Sequence, residues 1–262
     1  MIKIIVCIKQ VPETQEVRLD PETHTLKREG IKSIINPFDL YALEEGLRVK
    51  EAQGGTVTLI TMGPPQAEEA LREAMGYGAD AAVLISDRAF AGADTWATAL
   101  TLAQAIDKMG GADLVFTGKQ AIDGDTAQVG PMLATIMGLA YVAWARKLTF
   151  TDDHTIEVER MLDHGYDAVA VDLPAVISVV KEINEPRVPS FKAKLKAKKE
   201  AIPLWGLAEL DLPAQEVGLA GSFTQVVKVF PPPPRGESQV WEGPGSDLAA
   251  RLWGHLKELG RR

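Results

Sequence analysis

The sequence predicts a doubly wound α/β fold, a mainly parallel sheet with helices on both faces, followed by a β-rich segment and an extended C-terminal arm. Two observations predict it. Short β-branched or apolar runs bounded by Gly, Asp or Pro alternate with stretches whose apolar residues recur at helical spacing. A chain of 262 residues with 46% hydrophobic content can also bury a sizeable core. Strand–helix alternation implies parallel neighbours joined by right-handed crossovers, which put helices on both faces of the sheet.

The elements follow in order. Residues 2–8 (IKIIVCI) read as a buried strand. A segment at 33–39, SIINPFD, leads into a helix over 39–52, with Leu40, Leu43 and Leu47 on one face. Pro37 biases Asn36 toward an extended conformation, and Asp39 can cap the helix. Strand 56–62, helix 65–77, strand 81–85, helix 95–109 (Leu100, Leu102 and Ile106 on one face) and strand 114–117 continue the alternation. From about residue 140 strands dominate, at 142–150, 155–162 across an Asp152-Asp153 turn, 166–171 and 175–180. A basic run, an irregular region containing Pro231 to Pro234 and a final helix from Ser246 to Gly260 end the chain. The expected division is a main domain over 1–202 and a C-terminal arm and helix over 203–262. The Gly/Pro-rich stretch 203–245 lacks a core pattern, so it should wrap either this domain or another chain.

Composition excludes several classes. No apolar run approaches the roughly 20 residues of a membrane helix, and the first residues lack the features of a signal peptide, so no membrane insertion and a cytoplasmic location are expected. Cys7 is the only cysteine. It cannot form an internal disulfide, and with no histidine near it in sequence it reads as a strand-buried thiol rather than a nucleophile. His24, His154, His164 and His255 show no ligand spacing, so no metal is expected. A net charge of −8 argues against nucleic acid as a partner and makes any basic patch local. The five tryptophans, 96, 144, 205, 241 and 253, suit core or interface packing.

In open parallel sheets ligands sit beyond the carboxyl ends of the strands. The loops to inspect are therefore 9–12, 63–65 and 118–131. The last reads GKQAIDGDTAQVGP. A glycine turn there, entering a helix opened by Asp125 or Thr126, would aim backbone N–H groups and a helix dipole at one place, where an anion fits. Thr126 and Gln128 can add donors, while Asp123 or Asp125 can accept from a ribose hydroxyl or simply cap the helix. A capped loop without a ligand fits the same residues. Neither GxxxxGK[ST] nor GxGxxG after the first strand is present, so a P-loop ATPase and a standard dinucleotide-binding domain are not indicated.

This loop, with SIINPFDLYALEEGLRVKE and LPAVISVVKEINEPRVPSFKAKLKAKK, resembles the β subunit of electron transfer flavoproteins, in order from the first strand to about Ile202. The resemblance implies a Rossmann-like, adenine nucleotide hydrolase-like domain in an electron carrier rather than an enzyme. It implies a heterodimer with an α subunit that holds most of an FAD, and a buried adenine nucleotide, usually AMP, in this subunit. The nucleotide contacts it implies are Cys7, Asn36, Pro37, Phe38, Asp39, Met62, Gly118, Lys119, Gln120, Ala121, Ile122, Asp123, Gly124, Asp125, Thr126, Ala127, Gln128 and Val129. Asn36 and the backbone near Met62 would face base and ribose, and Ala127 to Val129 would present N–H groups to phosphate. AMP-binding members often read DDDCNQTG where this chain has DGDTAQVG. The version here resembles members whose β subunit holds a second FAD and whose complex splits electron pairs between two acceptors. Some members place a tyrosine against the α-subunit flavin where this chain has Thr14, so no flavin contact is assigned to that residue.

The run RVPSFKAKLKAKK at 187–199 carries six positive charges in thirteen residues. Such a run can be a solvated face. Phe191 and Leu195, four apart and ringed by Lys192, Lys196 and Lys199, are also how a transient docking site for an acidic partner would look. The segment resembles the family's recognition loop for acyl-CoA or other flavin dehydrogenases, which implies electron delivery there and onward transfer to an acceptor oxidoreductase. Residues 184–187 read as a turn that aims the loop, or as bringing Arg187 to a phosphate. Two other functions share the fold. A free-standing nucleotide sensor of the universal-stress type would need neither the arm nor the basic loop. A nucleotide-activating hydrolase or ligase would want SGGxDS after the first strand, where this chain has Lys9-Gln10-Val11-Pro12.

Overall fold

The structure is a computed structural model that describes residues 1–13, 18–19, 26–27, 32–228, 230 and 238–260. Thr14, His24 and the Pro231 to Pro234 run lie outside the described residues. In chain order the elements begin with β1 (Ile2–Cys7), β2 (Gln10–Pro12), β3 (Arg18–Leu19), β4 (Leu26–Lys27), β5 (Ser33–Ile35), α1 (Pro37–Gln53), β6 (Gly55–Met62) and α2 (Glu68–Met75). Next come β7 (Ala81–Ile85), α3 (Thr95–Lys108), β8 (Leu114–Gly118), α4 (Val129–Met137), β9 (Ala140–Phe150), β10 (Thr155–Leu162), β11 (Gly165–Asp172) and β12 (Ala175–Val179). The last are α5 (Phe191–Ala197), β13 (Leu204–Trp205), α6 (Leu207–Leu210) and α7 (Gly245–Leu259).

One nine-stranded sheet runs in the order β11-β10-β9-β12-β8-β1-β6-β7-β13. From β9 to β13 every pairing is parallel, while β10 is antiparallel to both of its neighbours. The fold is the doubly wound α/β architecture expected, and the β-rich segment extends the same sheet. Side-chain alternation along the strands feeds two cores. Ile4, Val6 and Phe116 pack with Leu43 and Leu47 of α1 and Leu71 of α2 on one face. Ile5, Ile60 and Val115 pack with Leu102 and Ile106 of α3 and Leu133 of α4 on the other.

The chain forms two compact units, Met1–Val226 and Val227–Arg262. The division falls after Val226 rather than at 202: β13 pairs with β7, and Leu210 and Val217 are buried in the second core. A good part of the Gly/Pro-rich stretch therefore wraps this domain. Trp96 packs against Phe223 at 5.5 Å between ring centroids, and Trp205 lies in the second core beneath Lys108. In the second unit α7 begins one residue before Ser246, behind Pro244, and ends at Gly260. Its Leu252, Trp253, Leu256 and Leu259 are exposed, and Trp241 packs on His255.

Candidate functional site

The chain leaves β1 toward β6 and β7 on one side, then returns to place β8 on the other. This reversal makes the carboxyl ends of β1 and β8 a topological switch point, where α/β sheets bind ligands. Cys7 ends β1, Met62 ends the adjacent β6 and Gly118 ends β8. Pro37, Phe38 and Asp39 form the first turn of α1, and Val129 is the first residue of α4. Residues 119–128 connect β8 to α4. The residues expected to contact a nucleotide thus lie at these strand ends, at the starts of α1 and α4 or on the loop between β8 and α4.

The rim is tied together by Asn36 and Asp39. Pro37 takes the first position of α1, where a fixed φ and a missing N–H cost nothing, so the helix starts ahead of Asp39. Asp39 is consequently a buried first-turn residue and not the cap. Its Oδ2 accepts from the Lys9 N–H at 2.7 Å, and its Oδ1 accepts from Asn36 Nδ2 at 2.9 Å. The Asn36 amide also donates to the Gln120 carbonyl at 2.9 Å and accepts from the Ile122 N–H at 3.1 Å. Expected to face base and ribose, it binds the two loops to each other. Gly118 fits because a Cβ there would stand 2.5 Å from Asp39 Oδ1 and 2.7 Å from the Phe38 carbonyl carbon. Above this knot, Lys9 Nζ pairs with Asp123 at 2.6 Å across the loops.

Burial pushes the Asp39 carboxyl up to about 7, against the bonds from Asn36, Lys9 and Gly118 and the Lys9 charge, which pull it down. Burial first, and the Asp39 charge second, push the Cys7 thiol far up. A thiol so held is not a nucleophile.

The helix expected to open at Asp125 or Thr126 begins only at Val129, with Gln128 at its N-cap position. Asp125 and Ala127 both have positive φ, 53° and 54°, and this pair of left-handed residues stops helical winding. Asp125 accepts from Gln120 Nε2 instead of capping, and Gln128 accepts from the Thr95 hydroxyl. Among the described residues, the N–H groups of Thr126, Ala127, Gln128 and Val129 have no protein acceptor. The Thr117 hydroxyl is also buried without a partner. It lies under the first turn of α4, 3.1 Å from where a Gly130 Cβ would stand. A run of free donors beside an orphaned hydroxyl at a helix start suits an anionic oxygen group such as a phosphate.

Three residues at the rim escaped the sequence reading. Lys9, whose partner Asp123 lies far along the chain, and Thr117, whose hydroxyl has no protein partner, carry no local signal. Trp144, read only as packing, has a positive φ of 58° at an irregularity of the β9–β12 pairing, and Lys119 Nζ stands 4.7 Å from its ring centroid.

The basic run lies apart from this rim, as α5 packed on α2. Ser190 caps it, accepting from the Ala193 N–H at 3.1 Å. Phe191 is 78% and Leu195 45% exposed, and Lys192, Lys196 and Lys199 surround them in solvent. Arg187, considered for a phosphate, is instead clamped to α1. Its guanidinium meets Glu44 at 2.8 Å and Glu51 at 2.6 Å. Burial raises the Glu44 carboxyl, but bonds from Arg187 and Arg48 outweigh that and hold it below the usual range. Asn184 donates to the Tyr41 carbonyl and to Glu45. No helix among the described residues is long and apolar enough to cross a membrane. None of their His, Cys, Asp and Glu side chains form a group that could hold a metal.

A doubly wound sheet with free donors gathered at its switch point defines a nucleotide-binding α/β protein. The model of the electron transfer flavoprotein domain matches residues 23–210. The chain belongs to the electron transfer flavoprotein family and is a β subunit of it, a component of electron transport. It is 49% identical over 243 residues to the electron transfer flavoprotein subunit beta of Thermoanaerobacterium thermosaccharolyticum, covering 92% of this chain and 93% of that protein. It is 45% identical to subunit CarD of the caffeyl-CoA reductase-Etf complex of Acetobacterium woodii, over 98% of both chains. The FixA protein of Sinorhizobium fredii is 46% identical, over 90% of this chain and 86% of that one.

Proposed function

We propose that this subunit holds an adenine nucleotide in the crevice at β1 and β8 and, with an α subunit, braces an FAD held mainly by that partner. It receives electrons from flavin dehydrogenases docked on α5 and passes them to an acceptor oxidoreductase. The observation that carries the reading is the donor set of Thr126 to Val129 beside the unpartnered Thr117 hydroxyl. The N–H groups only donate and the hydroxyl can donate, so together they fit the phosphate end of a nucleotide. The flavin, when bound, supplies the redox chemistry. The chain's own residues bind and orient: Asn36 and Asp39 fix the loops, and Gly118 lets β8 approach α1. The exposed row Leu252, Leu256 and Leu259 on α7 fits burial against the α subunit. A basic helix with an apolar pair fits an acidic dehydrogenase surface, its charge speeding encounter and Phe191 anchoring it.

Two nucleotides fit this reading, AMP and a second FAD. Ala127 and Val129 offer phosphate no side-chain donor, in contrast to the AMP-binding pattern, and this favours FAD. With FAD in both places the complex would split electron pairs between two acceptors. The test is coexpression with the α partner, followed by acid extraction and chromatography. One FAD and one AMP per heterodimer identifies a simple carrier, and two FAD identify the splitting complex. An extract with no adenine nucleotide beyond the α-subunit FAD refutes the crevice assignment.

A further inference from the structure

We propose that Arg72 is a positioning residue for docking, one that fixes the end of α5 and so sets how Phe191 and Leu195 meet a partner. The inference rests on the docking role proposed for α5. That helix has seven residues, whereas isolated helices shorter than about 12–15 residues are marginal in water. Its sequence adds to the difficulty. Lys192 and Lys196, and likewise Lys194 and Lys198, are like charges four apart, which repel on one helix face.

The helix is held from outside. Ala197 is buried, and Gly76, just past the end of α2, allows a close approach in which its missing Cβ would stand 3.3 Å from Lys194 Cγ. Arg72, also on α2, reaches past the last turn. Its Nη1 donates to the carbonyls of Ala197 at 3.0 Å, Glu200 at 3.1 Å and, more weakly, Lys198 at 3.4 Å. The other side of the guanidinium is fixed by Glu68, at 2.7 Å from Nε and 2.6 Å from Nη2. The last carbonyls of a helix lack partners within it, and a positive group there also suits the helix dipole. A lysine has no planar fork to hold Glu68 and these carbonyls together.

With Arg187 clamped to α1 before the helix and Arg72 at its end, α5 is gripped on both sides while its apolar pair points outward. A preformed anchor loses less conformational freedom when a partner docks. Releasing one grip should therefore weaken encounter and leave electron transfer within the docked complex unchanged.

The test uses the intact, flavin-loaded heterodimer and one substrate-reduced acyl-CoA dehydrogenase that reduces the wild-type complex. Arg72→Lys, Arg72→Ala and Phe191→Ala are compared for KM toward that dehydrogenase, kcat, flavin content and trypsin cleavage within 192–199. Loss of charge-assisted bonds at the helix end should raise KM about tenfold in both Arg72 variants. Cleavage should quicken, with kcat and flavin content unchanged. If Phe191→Ala leaves KM unchanged, the docking reading itself fails. If Phe191→Ala raises KM and neither Arg72 variant does, or if those variants lower kcat or flavin content at constant KM, the positioning role is overturned and docking stands.

Discussion

Replacing Gly118 by alanine tests the crevice without assuming a ligand. The added Cβ would stand 2.5 Å from Asp39 Oδ1 and 2.7 Å from both the carbonyl carbon and the Cβ of Phe38. Carbon contacts are comfortable at about 3.5–4.0 Å, so relief requires the first turn of α1 to retreat by most of an ångström. That turn cannot move alone, because Asp39 is bonded to the Lys9 N–H and to Asn36. Overpacking a fixed site costs about 1–3 kcal/mol, and the backbone clash puts this substitution near 3 kcal/mol. Denaturant unfolding of the heterodimer gives the stability, and acid extraction gives its nucleotide content. Gly124→Ala in the same loop is the control: a Cβ there meets nothing within 4 Å, so it should change stability by less than about 0.5 kcal/mol. Equal losses from the two substitutions, or an unaffected Gly118→Ala, would refute the argument from close approach.

Two further outcomes follow from the charged groups. Asp39 has a folded value near 7, above its ordinary 3.8, so the folded state binds the extra proton. Its contribution to stability is therefore complete below about pH 4 and is lost as pH rises toward 7. Asp39→Asn should flatten the fall of Tm with pH across that window by the effect of one proton, and an unchanged slope would show that Asp39 is ionised throughout. Glu44→Gln removes the buried partner of Arg187 but leaves it Glu51, so a loss of about 2 kcal/mol is expected, below the 3–5 of a fully buried pair. Denaturant midpoints measure it, and the cost should shrink at acid pH, because Glu44 in the wild type loses its stabilising charge as pH falls through its lowered value.

The central strands and helices were legible because their limits are written locally. Strands β7 and β10 span the residues expected, 81–85 and 155–162, each ending where the apolar or alternating pattern stops. The place of the candidate loops was legible too, since strand order puts them at the carboxyl ends of the sheet. What was not legible depended on distant partners. Ala127 has no intrinsic reason to adopt positive φ, so the late start of α4 could not be read from residue types. Arg187 finds Glu44 at a separation of 143 residues, and a guanidinium in a basic run looks the same whether it awaits a phosphate or is already clamped. The two-residue β13 is too short for a periodic pattern, and only its seat beside β7 makes it a strand.

Helix α1 connects the two proposed functions in space. Its first turn carries Asp39, knotted into the crevice, and farther along the same helix Glu44 and Glu51 hold Arg187 at the root of the docking segment. Twelve residues separate Asp39 from Glu51, a rise of about 18 Å at 1.5 Å per residue. Between them Gly46 faces β1, where even a Cβ would come within 3.1 Å of Val6 Cγ2 and 3.3 Å of Ile4 Cγ2. A helix seated so closely on the central strand can neither slide nor roll without unpacking its own Leu43 from the core that holds Phe116 of β8. The root of α5 therefore stands at a fixed offset from the proposed nucleotide site. On the docking proposed for α5, a partner engaging Phe191 would be placed with respect to β1 itself, as electron transfer in a transient complex requires.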